Sequence, residues 1–482
     1  MSGHLFLNGM RNKLHILPPA LPISVGFLGA VSLCVWLFLP DSFPIEQRVP
    51  GTDRAPVRTD AGDQTNAVFL GHLIVSSTNV VDLPGAWTGF RGNRGDGIAW
   101  EENGLKRSWD SAGPRTLWKV EVGEGYAGAA VLAGRVYVMD YDQVRREDAL
   151  RCLSLSDGVE LWRYTFPDVI KRNHGMSRTV PFVGGGRVVA MGPRCHVICT
   201  DAQSGELKWA LDLVQDFGAV VPPWYAGQCP LVTGGTVVLA PGGKDALMIG
   251  VDLETGSVLW KTPNPNGWKM THSSIVPMEF AGKATYVYCG NRGVVGVSAE
   301  DGSILWETTE WKISIATIPS PVVLDQGRIF LTGGYDSGSL MLGLREEGVR
   351  VVAEPLFRLE PEVFGSTQHT PIHHGTFLYG VRADGQMVCL GLDGTPVWTS
   401  GTDHTYGLGP FLIADGMIFA MNDSGLLSLI ELRPDRFQEL ASAQVLDGRE
   451  SWGPLSLAGG RLIARDFKQM ICLDVGVKAI VN

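Results

Sequence analysis

The chain has 482 residues, of which 45% are hydrophobic and 19% charged, so it can bury one large core or two ordinary ones. Its 61 glycines favour many short strands joined by tight turns over long solvated helices. The formal net charge of -10 argues against a nucleic-acid partner, because phosphates need a concentrated basic face.

The first predicted element is a transmembrane helix over residues 16–39. Residues 21–39 are a 19-residue uncharged run, and a helix of that length covers roughly the 30 Å core of a bilayer. Arg11 and Lys13 precede the run, so the positive-inside rule places residues 1–15 in the cytoplasm and the rest on the extracytoplasmic, periplasmic side. We favour an uncleaved signal anchor over a removed signal peptide, because no small-x-small cleavage site follows. The helix is expected to hold the protein at the membrane.

Residues 40–84 are predicted to be a flexible linker. Residues 41–66 are rich in Pro, Thr, Asp and Arg, a composition typical of disordered tethers. The apolar stretch Ala67–Val75 is too short to span a membrane and has no assignment from the sequence alone.

The glycine-rich segment WTGFRGNRGDGIAW, Trp87 to Trp100, contains an Arg-Gly-Asp tripeptide at 94–96. This tripeptide has little weight as an adhesion motif, because three residues recur by chance. A phosphate-binding loop would need a following helix N-terminus, and a loop running into a strand follows here. The segment is therefore not predicted to be a site of its own.

An internal repeat begins after this segment, and each copy ends in tryptophan. The copies are CLSLSDGVELW, CTDAQSGELKW, GVDLETGSVLW, GVSAEDGSILW and CLGLDGTPVW, ending at Trp162, Trp209, Trp260, Trp306 and Trp398. A glycine precedes each tryptophan by four residues, at Gly158, Gly205, Gly256, Gly302 and Gly394. The glycine spacings are 47, 51, 46 and 92 residues, which predicts a degenerate copy at Gly348 with Val352 in the tryptophan position.

Each repeat reads as a β-hairpin, since an apolar strand meets a polar turn, glycine takes a positive φ and a second strand carries the tryptophan. Another strand pair precedes each hairpin, and four such strands make one blade of a β-propeller. The first strands begin near Ala129, Val180, Pro230, Ser274, Pro321, Thr370, Pro410 and Pro454. The sequence therefore predicts an all-β, eight-bladed propeller of four-stranded antiparallel blades over residues 85–482, with the tryptophans packed between neighbouring blades.

The strand TLWKVEV, Thr116 to Val122, has no blade before it. We predict that it completes the last blade, with Trp118 beside Cys472 and Asp474. This pairing would close the ring without a free strand edge.

The pattern Asp-x-x-Thr-Gly-x-x-x-Trp, complete at Asp252 to Trp260 and with Ser for Thr at Asp201 to Trp209, resembles the tryptophan-docking repeat of the pyrroloquinoline-quinone-like (PQQ-like) β-propellers. That superfamily includes quinoprotein alcohol dehydrogenases and the propeller lipoprotein of the outer-membrane β-barrel assembly machinery. The resemblance covers about residues 85–482 and implies the fold, but the same repeat serves enzymes and non-enzymes. Segment 87–100 also resembles a leader found ahead of bacterial propellers of this family, which implies that Trp87, Phe90 and Arg91 dock against the blade that Trp118 closes.

The resemblance also defines what a cofactor site would need. The enzymes hold the quinone and calcium with a vicinal disulfide, carboxylate and Asn ligands, and a catalytic Asp, whereas this chain has no Cys-Cys pair. Cys152, Cys199, Cys389 and Cys472 occupy one strand position in different repeats and are predicted to be buried thiols. Cys195 and Cys199 would lie about 13 Å apart on one strand, too far for one zinc ion. We expect no cofactor, no metal and no catalytic residue, with a calcium-bound quinone as the alternative.

Histidines and aromatic residues collect at the entry to the innermost strand of each blade. By the geometry of the superfamily they are expected to ring one mouth of the central channel and to bind a peptide segment, a sugar or a small aromatic molecule. The alternative is that they pack the loops of that face without a ligand. The residues are Tyr126, His174, Trp224, Tyr225, Lys269, His272, Gln368, His369, Tyr406 and Trp452.

Together these features predict a membrane-anchored, extracytoplasmic β-propeller that acts as a non-enzymatic binding or assembly scaffold. A protein or peptide partner is expected, and a small molecule or sugar is a further option for the channel mouth. The alternative function is a PQQ-dependent quinoprotein oxidoreductase of alcohols or sugars. No Ser-His-Asp order, Walker loop or zinc signature indicates another chemistry.

Overall fold

Short strands dominate the part of the chain that the computed structural model describes, which is residues 65–110, 112–348 and 350–477 together with Val31. The predicted transmembrane helix 16–39 lies outside these residues apart from Val31, as do the predicted cytoplasmic segment 1–15 and residues 40–64. No helix of the described residues is both long enough and apolar enough to cross a membrane. The helical segments described are a 3₁₀ helix at Ala67–Leu70, an α-helix at Leu213–Phe217 and a 3₁₀ helix at Asp325–Gly327.

Eight sheets follow one another along the described chain, each with four antiparallel blade strands. Four strands precede the first blade: β1 (His72–Val75), β2 (Ala86–Trp87), β3 (Ile98–Ala99) and β4 (Arg115–Glu121). Blades 1 to 4 comprise β5 (Ala130–Leu132), β6 (Arg135–Asp142), β7 (Glu147–Ser154), β8 (Glu160–Pro167); β9 (Phe182–Gly184), β10 (Arg187–Met191), β11 (His196–Asp201), β12 (Leu207–Asp212); β13 (Leu231–Thr233), β14 (Thr236–Leu239), β15 (Met248–Asp252), β16 (Val258–Thr262); and β17 (Val276–Phe280), β18 (Lys283–Gly290), β19 (Gly293–Ser298), β20 (Ile304–Thr308). Blades 5 to 8 comprise β21 (Val322–Val323), β22 (Arg328–Gly333), β23 (Gly338–Glu347), β24 (Arg350–Leu359); β25 (Ile372–His374), β26 (Phe377–Val381), β27 (Met387–Gly391), β28 (Pro396–Thr399); β29 (Phe411–Ala414), β30 (Met417–Met421), β31 (Leu426–Glu431), β32 (Glu439–Gln444); and β33 (Ser456–Ala458), β34 (Arg461–Arg465), β35 (Gln469–Asp474) with β4.

The predicted eight-bladed propeller is thus confirmed, and each inner strand begins within two residues of its predicted start. The predicted ring closure is confirmed as well. β4 pairs antiparallel with β35 and places Trp118 opposite Cys472 and Arg115 opposite Asp474. The outermost strand of the last blade therefore comes from the start of the propeller, so hydrogen bonds join the two ends of the ring.

Four of the tryptophans pack on the turn glycine of the next blade: Trp118, Trp162, Trp209 and Trp260. Added Cβ atoms on Gly205 and Gly256 would lie 2.5 and 2.6 Å from the rings of Trp162 and Trp209, and the one on Gly158 would lie 2.9 Å from Trp118. The indole nitrogens of Trp118 and Trp209 also donate to the carbonyls of Leu155 and Leu253, at 3.0 and 2.8 Å. These glycines have positive φ and leave no room for a side chain, so one turn position supplies both the hairpin and the docking surface.

Every blade has a register shift at one point between its third and fourth strands, which identifies equivalent residues. At this point tryptophan stands opposite Cys152, Cys199, Gly250, Gly296, Cys389 or Cys472. Blade 5 instead pairs Phe357 with Met341, and blade 7 pairs Ala441 with Leu429. In the six blades with tryptophan, a large residue thus faces a small one across the strands, as close packing requires.

This register corrects the predicted copy at Gly348. Gly348 lies in the hairpin turn with a positive φ, as expected, but Val352 pairs with Arg345 and does not take the tryptophan position. The strands of this hairpin are ten residues long, which moves the equivalent position to Phe357. The Phe357 ring then packs on Gly394 of the next blade.

The apolar stretch Ala67–Val75 also belongs to the propeller unit, which begins at Thr65. β1 pairs antiparallel with β8 along the outer edge of blade 1, and the Tyr164 hydroxyl donates to the Val68 carbonyl at 3.0 Å. The last part of the predicted linker 40–84 is therefore ordered structure, because its apolar residues cover an open strand edge.

Replacing Trp118 tests the ring closure. We expect Trp118→Ala to lower the free energy of unfolding by about 3 to 5 kcal/mol, because it empties the contact with Gly158 and removes the bond to Leu155. Trp100→Ala is the matched control, since this ring is 48% exposed. Urea unfolding measures both variants, and an equal effect of the two changes would contradict the role given to Trp118.

A buried carboxyl group lies where blade 1 meets blade 2. Asp148, at the start of β7, is fully buried, packs against Gly192 and makes no hydrogen bond to another side chain of the described residues. Burial, together with nearby Asp168 and Asp140, raises the pKa of Asp148 well above its usual range. The folded protein therefore keeps a proton on Asp148 at pH values where the unfolded chain has lost it.

It follows that Asp148 lowers stability as the pH rises above the pKa of an unfolded aspartate, about 3.9. We expect Asp148→Asn to raise the free energy of unfolding at pH 8 by about 1 to 3 kcal/mol. The gain should shrink towards pH 4, where the wild-type carboxyl group is protonated in both states. Urea unfolding between pH 4 and 8 measures this, with exposed Asp82→Asn as control; a gain that does not depend on pH would contradict the assignment.

Candidate functional site

A cavity of about 480 Å³ lies at the mouth of the central channel, lined by the entries of several inner strands. The structure brings seven of the ten predicted residues to its lining: Tyr126, His174, Trp224, His272, Gln368, His369 and Trp452. The cavity falls in the size range of small-molecule sites. Seven of the ten residues chosen from the sequence therefore share one cavity.

One wall of the cavity is a set of stacked aromatic rings. Tyr126 and Trp452 lie 5.2 Å apart, nearly parallel, and the Tyr126 hydroxyl donates to Glu450 at 2.6 Å. The Trp452 indole nitrogen donates to Asp423 at 2.6 Å. The guanidinium of Arg178 lies 5.1 Å from the centre of the Tyr126 ring. The polar ends of Tyr126 and Trp452 are thus fixed by acids outside the cavity lining.

Histidines contribute neutral rings to the other walls. Burial lowers the pKa of both His272 and His369 to about 4. His272 packs 6.3 Å from Trp224, and His369 bonds through Nε2 to the Gly409 carbonyl at 2.7 Å. Gln368 donates to the neighbouring Leu408 carbonyl at 2.8 Å. At neutral pH His272 and His369 therefore add contact area without positive charge.

Three predicted residues lie elsewhere. Tyr406 is buried in the core between blades 6 and 7 with Trp398, and Lys269 is exposed outside the cavity lining. The Tyr225 hydroxyl donates to the Lys171 carbonyl within the loops of the same face. A position just before an inner strand does not fix the direction of the side chain, so the sequence pattern alone could not separate these three from the others.

The segment Pro84–Trp100, which we call the leader, crosses the channel and forms the floor of the cavity. β2 pairs with β5 of blade 1, β3 runs parallel to β29 of blade 7, and Gly85 packs on Gly459 of blade 8. The Thr88 carbonyl accepts from Val183 of blade 2 at 2.8 Å. Because Trp87 pairs with Val131, further along the chain than Tyr126, the leader lies deeper in the channel than the entry residues.

This position agrees only in part with the prediction that Trp87, Phe90 and Arg91 dock against the blade that Trp118 closes, since β2 lies against β33 of that blade but the leader extends to other blades. Trp87 pairs with blade 1, and Arg91 donates to the Thr370 and Pro371 carbonyls before blade 6, at 2.7 and 3.0 Å. Phe90 lines the cavity with them. The reason is that the short inner strands leave unpaired backbone groups around the channel, and an extended segment can satisfy them.

The Arg-Gly-Asp tripeptide of the leader forms a turn. The Asp96 carboxylate accepts from the backbone of Ile98 at 3.0 Å and from the Trp100 indole at 2.8 Å. Arg94 lies 5.2 Å from the centre of the same indole. The Asp96 carboxylate thus holds this turn in shape, whereas the Arg94 side chain is exposed.

The two arginines that line the cavity were missed by the sequence reasoning. Arg178 follows His174 by four residues, and Arg91 stands in the leader, so the available signal was their place beside residues already chosen. The lining contains no Asp or Glu, although the whole chain has a net charge of -10. The cavity is therefore a cationic region of an acidic protein.

The cavity does not fit a calcium-bound quinone of the kind held by the related enzymes. Its lining includes no Asp, Glu or Asn that could bind calcium, and no adjacent cysteines. No group of three or more His, Cys, Asp or Glu side chains in the described ranges is suited to a metal ion. The seven cysteines of these ranges are buried and free, and burial raises the pKa of the Cys199 and Cys472 thiols to about 12.

Fold, repeat and channel mouth together define a PQQ-like β-propeller. A family model described as outer membrane protein assembly factor BamB matches residues 146–400, more than half of the chain. The chain belongs to this family. A comparison with curated protein sequences gives no significant match.

Solved structures with the same fold include BamB from Moraxella catarrhalis, at 15% identity and a TM-score of 0.52, covering 77% of this chain and 100% of that one. The computationally designed Ika8 protein has 11% identity and a TM-score of 0.51, with 74% and 99% covered. Quinohemoprotein alcohol dehydrogenase from Comamonas testosteroni has 12% identity and a TM-score of 0.43, with 82% and 81% covered. For the first two structures the likeness is one of fold.

Replacing Arg91 tests the role of the leader. We expect Arg91→Gln to lower the free energy of unfolding by about 2 to 4 kcal/mol, because its guanidinium joins the Gly95 carbonyl of the leader to the Thr370 and Pro371 carbonyls ahead of blade 6. It should also make the leader more sensitive to limited proteolysis. Arg94→Gln is the matched control, and a leader that stays protected in Arg91→Gln would show that this side chain does not hold it.

Proposed function

We propose that the protein is a membrane-anchored, extracytoplasmic scaffold that binds a ligand or partner segment in the channel-mouth cavity. The observation that carries this proposal is the cavity itself, a concave site with aromatic walls and a floor made by the leader. Aromatic faces beside a few oriented polar groups are typical of binding sites.

Two further points support a scaffold over an enzyme. The cavity lining offers no carboxylate for general acid-base work or for calcium, and its two strongly buried histidines have lowered pKa values. The family description names an assembly factor for outer membrane proteins, and the proposal extends such an assembly role to this chain. The membrane anchor and the periplasmic location rest on the apolar run at 21–39 and the basic residues before it.

The binding role predicts a specific loss on mutation. Full-length protein extracted from membranes should retain a reproducible set of partners that Trp224→Ala with His272→Ala loses at least tenfold, measured by pull-down and mass spectrometry. The melting temperature should change by only a few degrees, because both side chains face the cavity. A collapse in stability would instead indicate that these residues only pack the loops.

The matched control is Trp100→Ala with His374→Ala, another stacked indole-imidazole pair, at 6.1 Å, that does not line the cavity. This control should retain the partners. A parallel experiment adds the quinone and calcium to the full-length chain and follows quinone absorbance and dye reduction. Stoichiometric uptake with turnover would contradict the scaffold and establish the oxidoreductase.

A further inference from the structure

Arg178 is held rigidly at the edge of the cavity. Its Nε donates to the Trp224 carbonyl at 2.5 Å, and Nη2 lies 3.1 to 3.3 Å from the carbonyls of Asn173, His174 and Gly175. The guanidinium also covers the Tyr126 ring. These contacts fix the orientation of the side chain before any ligand binds.

The charge of Arg178 has no carboxylate partner. No ion pair of the described residues includes it, and its acidic neighbour Glu450 accepts the Tyr126 hydroxyl instead. Nη1 donates to no protein group within the described ranges. Arg178 is only partly buried at the edge of the cavity, so the two N–H groups of Nη1, which have no acceptor among the described residues, can reach a ligand anion.

The second cation of the lining is already engaged. Arg91 donates to the carbonyls of Gly95, Asp96, Thr370 and Pro371, so four of its five N–H groups are used. The lining has no lysine. A second negative group on a ligand would therefore find no free guanidinium or ammonium there.

We propose that the cavity binds a ring-shaped organic anion with one carboxylate, which pairs with Nη1 of Arg178 while the ring packs on the aromatic walls. The indoles of Trp224 and Trp452, which are only partly buried, provide the faces for the ring. This inference rests on the proposed binding function and specifies its ligand class. An aromatic acid and a sugar acid share this chemistry, and the experiment separates them.

Isothermal titration calorimetry on the full-length chain compares each acid with its neutral counterpart. The probes are indole-3-acetate against indole-3-acetamide, and glucuronate against glucose. In one of the two series the acid should bind at least about tenfold more tightly than its neutral counterpart, as a charge-assisted hydrogen bond requires. That series shows whether the ligand is an aromatic acid or a sugar acid. Raising the salt concentration should weaken this binding.

Arg178→Gln should weaken binding of the acid at least about tenfold and leave that of the neutral probe unchanged. Arg94→Gln removes an arginine that also lies on an indole ring but not in the cavity, and it should bind as the wild type does. If Arg178→Gln does not fold, the inference is tested on the wild type alone. The tests are then the difference in affinity between the acid and the neutral probe and the dependence of acid binding on salt.

Equal affinity for acid and neutral probe in both series would overturn the inference, as would full binding by a folded Arg178→Gln. Binding of the neutral probes alone would overturn the proposal that the ligand is an anion, but the cavity would still be a binding site. Failure of every probe would overturn this ligand class, whereas the scaffold is judged separately by the partners retained with the Trp224 and His272 variants.

Discussion

The contact between an aromatic ring of one blade and a glycine of the next is the interaction on which the propeller depends. A four-stranded blade has two faces and cannot bury both alone, so each blade needs a neighbour on either side. The turn glycine leaves space that the indole fills, as Gly205 does for Trp162. Trp118 of blade 8 makes the same contact with Gly158 of blade 1, so this interaction also stabilises the junction where the ring closes.

The same interaction explains the unusual use of cysteine. Tryptophan needs a small residue opposite it across the strands, and cysteine or glycine meets that need in six blades. Where the large residue is reduced to Phe357 or Ala441, the opposite position grows to Met341 or Leu429. The thiols are therefore packing residues, and their burial keeps them protonated.

Much of the fold could be predicted because its signals are local. A glycine turn four residues before a tryptophan marks a hairpin wherever it occurs, so blade number, inner strands and ring closure followed from spacing. The aromatic residue of blade 5 could not be placed from the glycine spacing, because a longer hairpin moves the equivalent position to Phe357. The site was predicted as a region but not in detail, since side-chain directions at Lys269 and Tyr406 depend on loop packing. The leader was placed only in part, because its partners, such as Thr370 and Val131, are distant in sequence.

The leader also changes what kind of passage the propeller has. The short inner strands surround a channel, and the leader crosses it, pairing with blades 1 and 7 and bonding to the chain ahead of blade 6. Within the described ranges, the leader therefore gives the cavity a floor made by the chain itself. A ligand that enters past Trp224 and Trp452 meets Trp87, Phe90 and Arg91 at the far end, so the segment that ties blades together also limits how deep a ligand can reach.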